Sequence, residues 1–355
     1  MDLDAITPQL DARYKVLITG HTGFKGAWLT LLLEKLGIEV CGVSLNPESD
    51  SLYSRLGRTG KIQEAFIDIR NYEALSGAVA EFKPNVVFHL AAQPLVLESY
   101  AKPLETFETN VMGTVNLLDI SFSQPAIELV SVITTDKVYK NLNLGKKFKE
   151  EDSLGGKDPY SASKVGTEAA VAAWRQLREH KDGPKLLALR AGNVIGGGDF
   201  AQARLLPDLI RGFLSGNAIE IRNPESTRPW QHVLDPLAGY VMASNYVLNG
   251  NGADAFNFAP DGESLSVKAV AKIAQSTWGE DSKLEVIPSN ASLEAVTLQL
   301  DSNLAKKVLG WRPNWSQEEA VESTVRWWKK VLKQETSPVD ACGNDLTEYF
   351  SKNNR

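Results

Sequence analysis

Short apolar runs alternate with longer amphipathic segments through the first half of the chain. Residues 14–20 (YKVLITG) read as a buried strand, and 26–37 (GAWLTLLLEKLG) as a helix with Gly37 at its C-terminal cap position. Strands follow at EVCGVSL (39–45) and EAFIDI (64–69), then a helix across YEALSGAVAEF (72–82). The continuous apolar run NVVFHLAA (85–92) has the pattern of a strand buried on both faces. A long helix around 103–121, a strand at ELVSVITT (128–135), a helix over 160–181 and a strand at KLLALRAGNV (185–194) complete the series. Alternation of this length predicts an α/β fold, an open, doubly wound parallel sheet.

The rhythm changes after Gly196. A GGGDF loop leads into a helix at ARLLPDLIRGFLSG (203–216) and a short strand at AIEIRN (218–223). AFNFA (255–259) reads as a late strand returning to the sheet, KLEVIP (283–288) as an edge strand, and VRWWKK (325–330) as the end of a terminal helix. The expected organisation is a tail at 1–13, a first domain at 14–195, and a smaller α/β lobe at 196–330. Part of that lobe, 230–260, returns to the first domain, and a C-terminal tail occupies 331–355.

Composition narrows the classes. The 355 residues are 43% hydrophobic and 23% charged, ordinary for a globular protein, and the net charge of −6 argues against a general nucleic-acid binder. Cys41 and Cys342 cannot build a disulfide framework, which fits a reducing cytoplasm. The histidines, His21, His89, His180 and His232, lack zinc spacing, so no metal site is expected. Apolar stretches stop well short of a membrane span, and the acidic N-terminal segment lacks an apolar signal.

Three stretches carry chemistry. GHTGFKG (20–26) places Gly20, Gly23 and Gly26 between a strand and a helix. Small residues there let the backbone approach a pyrophosphate, and the helix N-terminus offers free N–H groups. A packing turn would use the same glycines; the strand–turn–helix setting favours phosphate. His21 is expected to shape the turn, and Lys25 to add its charge to the N–H groups. TTDK (134–137) ends a strand, where such sheets bind ligands. Tyr160 and Lys164 are one helical turn apart, and a nearby ammonium favours a phenolate able to take a hydroxyl proton. Asp136–Lys137 reads either as a surface ion pair or as an acid and a cation beside that tyrosine.

In this order and spacing the three stretches resemble the extended short-chain dehydrogenase/reductase family over nearly the whole chain. In finer detail they are similar to the CDP-glucose 4,6-dehydratases. The likeness lies in GHTGFKGAWL (20–29), HLAAQPLV (89–96), NVMGT (110–114), TDKVY (135–139), LGGKDPYSASK (154–164), RAGNVIGGGD (190–199) and RNPESTRPWQHVLDPLAGY (222–240). Lys137 stands where thymidine-linked dehydratases carry glutamate.

The resemblance implies a Rossmann domain binding NAD through Gly20, Thr22, Gly23, Phe24, Lys25, Gly26, Asp68, Ile69, Leu90, Ala91, Ala92, Asn110 and Thr134, with Tyr160 and Lys164 at the nicotinamide end. The second strand end, GVSLNPES, does not itself separate NAD from NADP. The resemblance implies a CDP-hexose substrate held by Gln93, Asn193, Arg204, Leu205, Ile221, Arg222, Asn223, Arg228 and Gln231. Thr135 and Tyr160 would serve the 4-hydroxyl, Asp136 the departing 6-hydroxyl, and Lys137 the C5 position as base or enolate stabiliser. It also implies a cytoplasmic homo-dimer or homo-tetramer joined by a four-helix contact. Leu97, Phe200, Ala203, Leu293 and Leu304 depart from the family's usual residues. An epimerase or decarboxylase of the same family, or an NAD-binding sensor without catalysis, are the competing readings.

Overall fold

Val16, Leu17 and Ile18 have no solvent exposure, because the strand they form lies at the centre of a sheet covered on both faces. The computed structural model describes residues 8–143, 145–202, 204–216, 219, 221, 223–279 and 298–352. Its main sheet contains β1 (Lys15–Thr19), β2 (Glu39–Ser44), β3 (Gln63–Phe66), β4 (Val86–His89), β5 (Leu129–Ile133), β6 (Lys185–Ala191) and β7 (Ala255–Phe258). Their order is β7-β6-β5-β4-β1-β2-β3, and every neighbouring pair is parallel. The direction of winding reverses between β1 and β4, and the strand ends there form the crevice in which such sheets bind ligands.

The longer helices are α1 (Phe24–Lys35), α2 (Tyr72–Phe82), α3 (Gly113–Phe122), α4 (Pro159–Leu177), α5 (Leu205–Ser215), α6 (Leu234–Leu248), α7 (Val267–Trp278), α8 (Gln317–Leu332) and α9 (Pro338–Lys352). One face of the sheet packs on α1 and α6, the other on α2, α3 and α4. Trp28 of α1 is fully buried and donates its indole N–H to the Gly197 carbonyl at 2.9 Å, tying the first helix to the loop that opens the lobe. Burying a side chain of this size contributes about 2–3 kcal/mol.

Two sequence expectations change in detail. The helix expected across 103–121 is a helical turn, Pro103–Phe107, then a π-helical turn, Glu108–Met112, then α3. The cause is Asn110: its carbonyl accepts from Thr114 Oγ1 and Thr167 Oγ1, both at 2.7 Å. Bulges of this kind recur at functional sites. The helix expected over 160–181 is shorter, capped at its start by Asp158 and Ser161 in a reciprocal capping box.

Within the stretch expected as a C-terminal tail lies α9, which buries Ala341, Cys342, Leu346 and Tyr349 against the core. The edge strand expected at 283–288 lies outside the described residues, as do Arg222, Ala203 and Leu293. Of the strand expected at 218–223, Ile219 and Ile221 are buried in the main core.

Candidate active site

The glycine turn is as tight as its spacing suggests. Gly20 has φ +77°, and a Cβ there would lie 2.8 Å from the Ala91 amide nitrogen. A Cβ on Gly26 would lie 2.1 Å from the Gly20 carbonyl oxygen, so the first turn of α1 presses directly on the end of β1. Gly23 is the N-cap of α1. No side chain caps this helix and no acidic residue occupies its first turn, so its N–H groups face the crevice without a built-in anion. Thr22 ties the turn to the end of β2 through Ser44 Oγ at 2.6 Å and the Leu45 carbonyl at 3.1 Å. Phe24 packs towards Gly196 of the lobe.

His21 turns away from the crevice. Its ring is fully buried over Gly42, where a Cβ would come within 2.5 Å of it, and Nε2 meets Glu64 Oε2 at 2.9 Å. Burial holds its pKa below the ordinary range, so it is a packing residue of the turn. Lys25 goes the other way. Its Nζ reaches inward and donates to the Tyr240 hydroxyl at 3.1 Å.

The strand ends across the reversal are joined by polar contacts. Leu90 N–H bonds to the Thr19 carbonyl at 3.0 Å, and Ala91 N–H to Thr19 Oγ1 at 3.3 Å. Ala92 continues this loop, half-buried. Asn110 then clamps Gln93 by both backbone groups, at 2.7 and 3.0 Å, and reaches Ser163 of α4 at 2.9 Å. The Gln93 side chain is engaged with Leu95 and Thr106. Asn110 and Gln93 thus fix where the loop 90–95 sits relative to the helix bearing Tyr160. Asp68 is clasped by Arg70, which holds its carboxyl below the usual range, and Ile69 packs against Gly113.

At the end of β5, Thr135 Oγ1 donates to Asp136 Oδ1 at 2.9 Å and accepts the Lys137 N–H at 3.3 Å. Asp136 is 2% exposed, against Gly192 and Pro229. Tyr160 is buried beside it. Burial pushes the phenol up to about 12; its hydrogen bond with Thr135 and the charge of Arg204 oppose this, and Asp136 adds to it. Lys164 Nζ bonds to the Ile133 carbonyl at 3.2 Å, and burial brings its pKa down to about 8 while Glu168 works against that. Burial therefore dominates the phenol, and Lys164 is drawn to the strand end.

Thr134 spends its hydroxyl on Glu168 at 2.7 Å. Glu168 is paired in two-pronged fashion with Arg190 at 2.8 and 2.9 Å, and Arg190 also donates to Tyr139 Oη at 2.7 Å. Arg190→Met would take the two-pronged partner from the buried Glu168 carboxyl and leave it only Thr134. It is expected to cost about 3–5 kcal/mol, read from the denaturant midpoint.

On the lobe side, Arg204 is the N-cap of α5 and pairs with Asp199 at 2.9 Å, with Leu205 next to it and half-buried. The Asn193 carbonyl accepts from Gln231 N–H at 3.0 Å. Gln231 is 1% exposed, its amide donates to the Phe258 carbonyl at 3.1 Å, and its Oε1 is buried without a partner. Arg228 is buried and donates to the Thr227 carbonyl at 2.8 Å. Ile221 is in the core, and Asn223 turns the chain with φ +49°. Trp230 and His232 are buried within the lobe junction.

The family model for GDP-mannose 4,6 dehydratase matches residues 17–324. The chain belongs to this family. It is 40% identical over 351 residues to the CDP-glucose 4,6-dehydratase of Salmonella typhimurium, covering 96% of this chain and 97% of that protein. It is 27% identical to a UDP-glucose 4-epimerase of Lactobacillus helveticus, over 89% of this chain and 97% of that one. In structure it is similar to the Thermotoga maritima UDP-glucose 4-epimerase with UDP-glucose: TM-score 0.79, 23% identity, 90% of this chain and 99% of that one. A dTDP-glucose 4,6-dehydratase from Streptomyces venezuelae, with NAD and TYD bound, gives TM-score 0.78 and 21% identity over 92% and 99% of the two chains. These two structures bear out the fold; the family match and the 40% relative bear out the extended short-chain dehydrogenase/reductase resemblance.

Within the dehydratase family frame, three residues that sequence reasoning passed over join the site. Glu168 lies one turn beyond Lys164 on α4, a spacing visible in the sequence. Asp199 holds Arg204 only five positions on, whereas Tyr240 meets Lys25 across 215 positions, with no local signal. Of the departures, Leu97 and Leu304 are exposed, and Phe200 packs edge-on against Trp328 at 4.3 Å. Among the described residues no helix is long and apolar enough to cross a membrane, and no group of His, Cys, Asp and Glu is placed to hold a metal ion.

Proposed function

We propose that this chain is an NAD-dependent nucleotide-hexose 4,6-dehydratase, with CDP-glucose as substrate and CDP-4-keto-6-deoxyglucose as product. The observation that carries the reading is Asp136, a buried carboxyl held by Thr135 and electrostatically coupled to Tyr160. Inverting C4 needs a base for the hydroxyl; eliminating water across C5–C6 also needs an acid for the departing 6-hydroxyl. The 40% identity to a CDP-glucose enzyme favours the cytidine nucleotide.

The crevice fits NAD. The uncapped start of α1 and Lys25 suit a pyrophosphate, with Gly20, Thr22, Gly23, Phe24 and Gly26 around it. Asp68 and Ile69 would take the adenine end, Leu90, Ala91 and Ala92 the middle, and Thr134, Tyr160 and Lys164 the nicotinamide end, with Asn110 fixing the loop. When bound, NAD would supply the hydride chemistry, an acceptor for the C4 hydride and a donor of the same hydride to C6. Tyr160 takes the 4-hydroxyl proton with Thr135 steadying its oxygen. The carbonyl at C4 acidifies the C5 proton, which Lys137 removes, or Lys137 stabilises the resulting enolate; after water has left, a proton returns to C5 on the same face of the site as C6 is reduced. Asp136 protonates the leaving 6-hydroxyl. Arg204 and Arg228 suit the substrate diphosphate, while Gln93, Asn193, Leu205, Ile221, Asn223 and Gln231 would surround the rest of the nucleotide sugar.

The test is incubation with NAD and CDP-, dTDP-, UDP- or GDP-glucose. The expected product from CDP-glucose has lost one water and absorbs in alkali. A CDP-galactose product would make the chain an epimerase, and no product from any sugar would contradict the reading.

A second copy of the chain is the partner we favour. Leu97, Tyr100, Leu104, Phe107 and Met112 are exposed on the helices preceding α3, with Leu104 72% exposed. Exposed apolar groups clustered in one region mark association surfaces. Leu104→Glu combined with Phe107→Glu is expected to shift the protein to monomer by light scattering; an unchanged mass would remove this face from the contact.

A further inference from the structure

His89 closes β4 at the crevice and takes no part in the chemistry proposed for the site. Its ring is buried and bonded at both nitrogens. Nδ1 lies 2.7 Å from Thr19 Oγ1 at the end of β1, and Nε2 lies 2.9 Å from Thr114 Oγ1 in α3. The neighbours fix which nitrogen carries the proton. The Thr114 hydroxyl proton goes to the Asn110 carbonyl at 2.7 Å, an oxygen that can only accept. Thr114 Oγ1 therefore receives from His89, so the ring is protonated at Nε2. Nδ1 is left to accept from the Thr19 hydroxyl, whose oxygen in turn receives the Ala91 N–H at 3.3 Å. The chain of bonds is complete only with the imidazole neutral. Burial, with the charge of Lys164 adding to it, agrees and brings the ring pKa down to about 3. Asn110 carries the chain onward. Its side chain holds both backbone groups of Gln93 and donates to Ser163 Oγ, whose proton goes to the Tyr160 carbonyl at 2.7 Å. One unbroken hydrogen-bonded line thus runs from the strand end beneath the glycine turn to the helix bearing Tyr160.

We propose that His89 is a positioning residue of the reaction: locked as the neutral Nε2–H tautomer, it ties the end of β1 to the π-helical turn at Asn110 and so sets the cofactor crevice against the Tyr160 helix. Its two nitrogens serve different ends of the site. Nδ1 holds Thr19 and, through it, the Ala91 N–H in the loop assigned to the middle of the dinucleotide. Nε2 holds Thr114 and, through it, Asn110, which fixes Gln93 and the start of α4. The first bond governs cofactor affinity and the second governs turnover. This division rests on the NAD-dependent dehydratase reading; the tautomer does not.

Ring-nitrogen NMR of the full-length protein carrying isotopically labelled histidine reads the tautomer directly, the His89 signals being those lost in either variant below. Nε2 is expected to be protonated and Nδ1 bare, unchanged between about pH 5.5 and 8.5, where a free imidazole titrates. A ring protonated at Nδ1, or one that titrates in that range, would overturn the proposal. His89→Asn reaches only to the Nδ1 position, so it keeps an acceptor for Thr19 and drops the donor to Thr114; His89→Gln reaches the Nε2 position and does the reverse. His89→Asn should lower kcat on CDP-glucose by about 10–100-fold, as a small misplacement of reacting groups does, with NAD affinity nearly unchanged. His89→Gln should weaken NAD binding by about 3–10-fold, the worth of one hydrogen bond, and lower kcat less. Equal losses in both variants would make His89 a packing residue and overturn the proposal. The tautomer and the NAD affinity, read by calorimetry, need no turnover. They test His89 even if the wild type gives no product from CDP-glucose, a result that would bring down the dehydratase reading alone.

Discussion

Tyr160→Phe is expected to lower kcat on CDP-glucose by about 10²–10⁴-fold while NAD binding survives. The substitution removes one oxygen from a ring that is already buried, so little packing is lost. What disappears is the group placed to take the 4-hydroxyl proton. In the structure that phenol is held neutral by burial, with Thr135 and Arg204 working against it. Substrate must therefore enter a site where the phenol is one step short of being a base. Stopped turnover with NAD affinity intact, read by calorimetry, is the expected pair of results; full activity would remove Tyr160 from the mechanism.

Asp136→Asn is expected to lose about 10²–10³-fold in dehydration, because an amide cannot protonate the leaving 6-hydroxyl. Asparagine Oδ1 can still accept from Thr135, so the strand end keeps its shape. Two further readouts separate this role from a structural one. CDP-6-deoxy-6-fluoroglucose, whose fluoride departs without a proton, should recover much of the lost rate. The Asp136 charge also raises the Tyr160 pKa, so its removal lowers that pKa. The acid limb of the residual pH–rate profile should then move to lower pH. No recovery with the fluorosugar, together with an unmoved acid limb, would assign Asp136 a structural role only.

The parts of the site legible in the sequence are those whose geometry is local. Gly20, Gly23 and Gly26 announce a turn because close backbone approach tolerates no side chain, and Tyr160 and Lys164 announce a shared helix face by their spacing. The parallel sheet was legible because fully buried strands such as Val86–His89 are written as continuous apolar runs. What was not legible is whatever the fold assembles across distance. Lys25 reads as a phosphate ligand at the start of a helix, and nothing near it in sequence announces that Tyr240 turns its ammonium inward. His21 gave no sign that it would pack over Gly42. The π-helical turn at Glu108–Met112 was hidden because it arises from Asn110 meeting Thr167 on another helix. The bond from Lys164 to the Ile133 carbonyl has the same origin, since the strand end it reaches lies 31 positions away.

The central claim, elimination across C5–C6 with one hydride moved within the sugar, is tested most directly with CDP-glucose carrying deuterium at C4. The account predicts a 4-keto-6-deoxy product with the deuterium at C6. Deuterium retained at C4 of a CDP-hexose that has lost no water would contradict it.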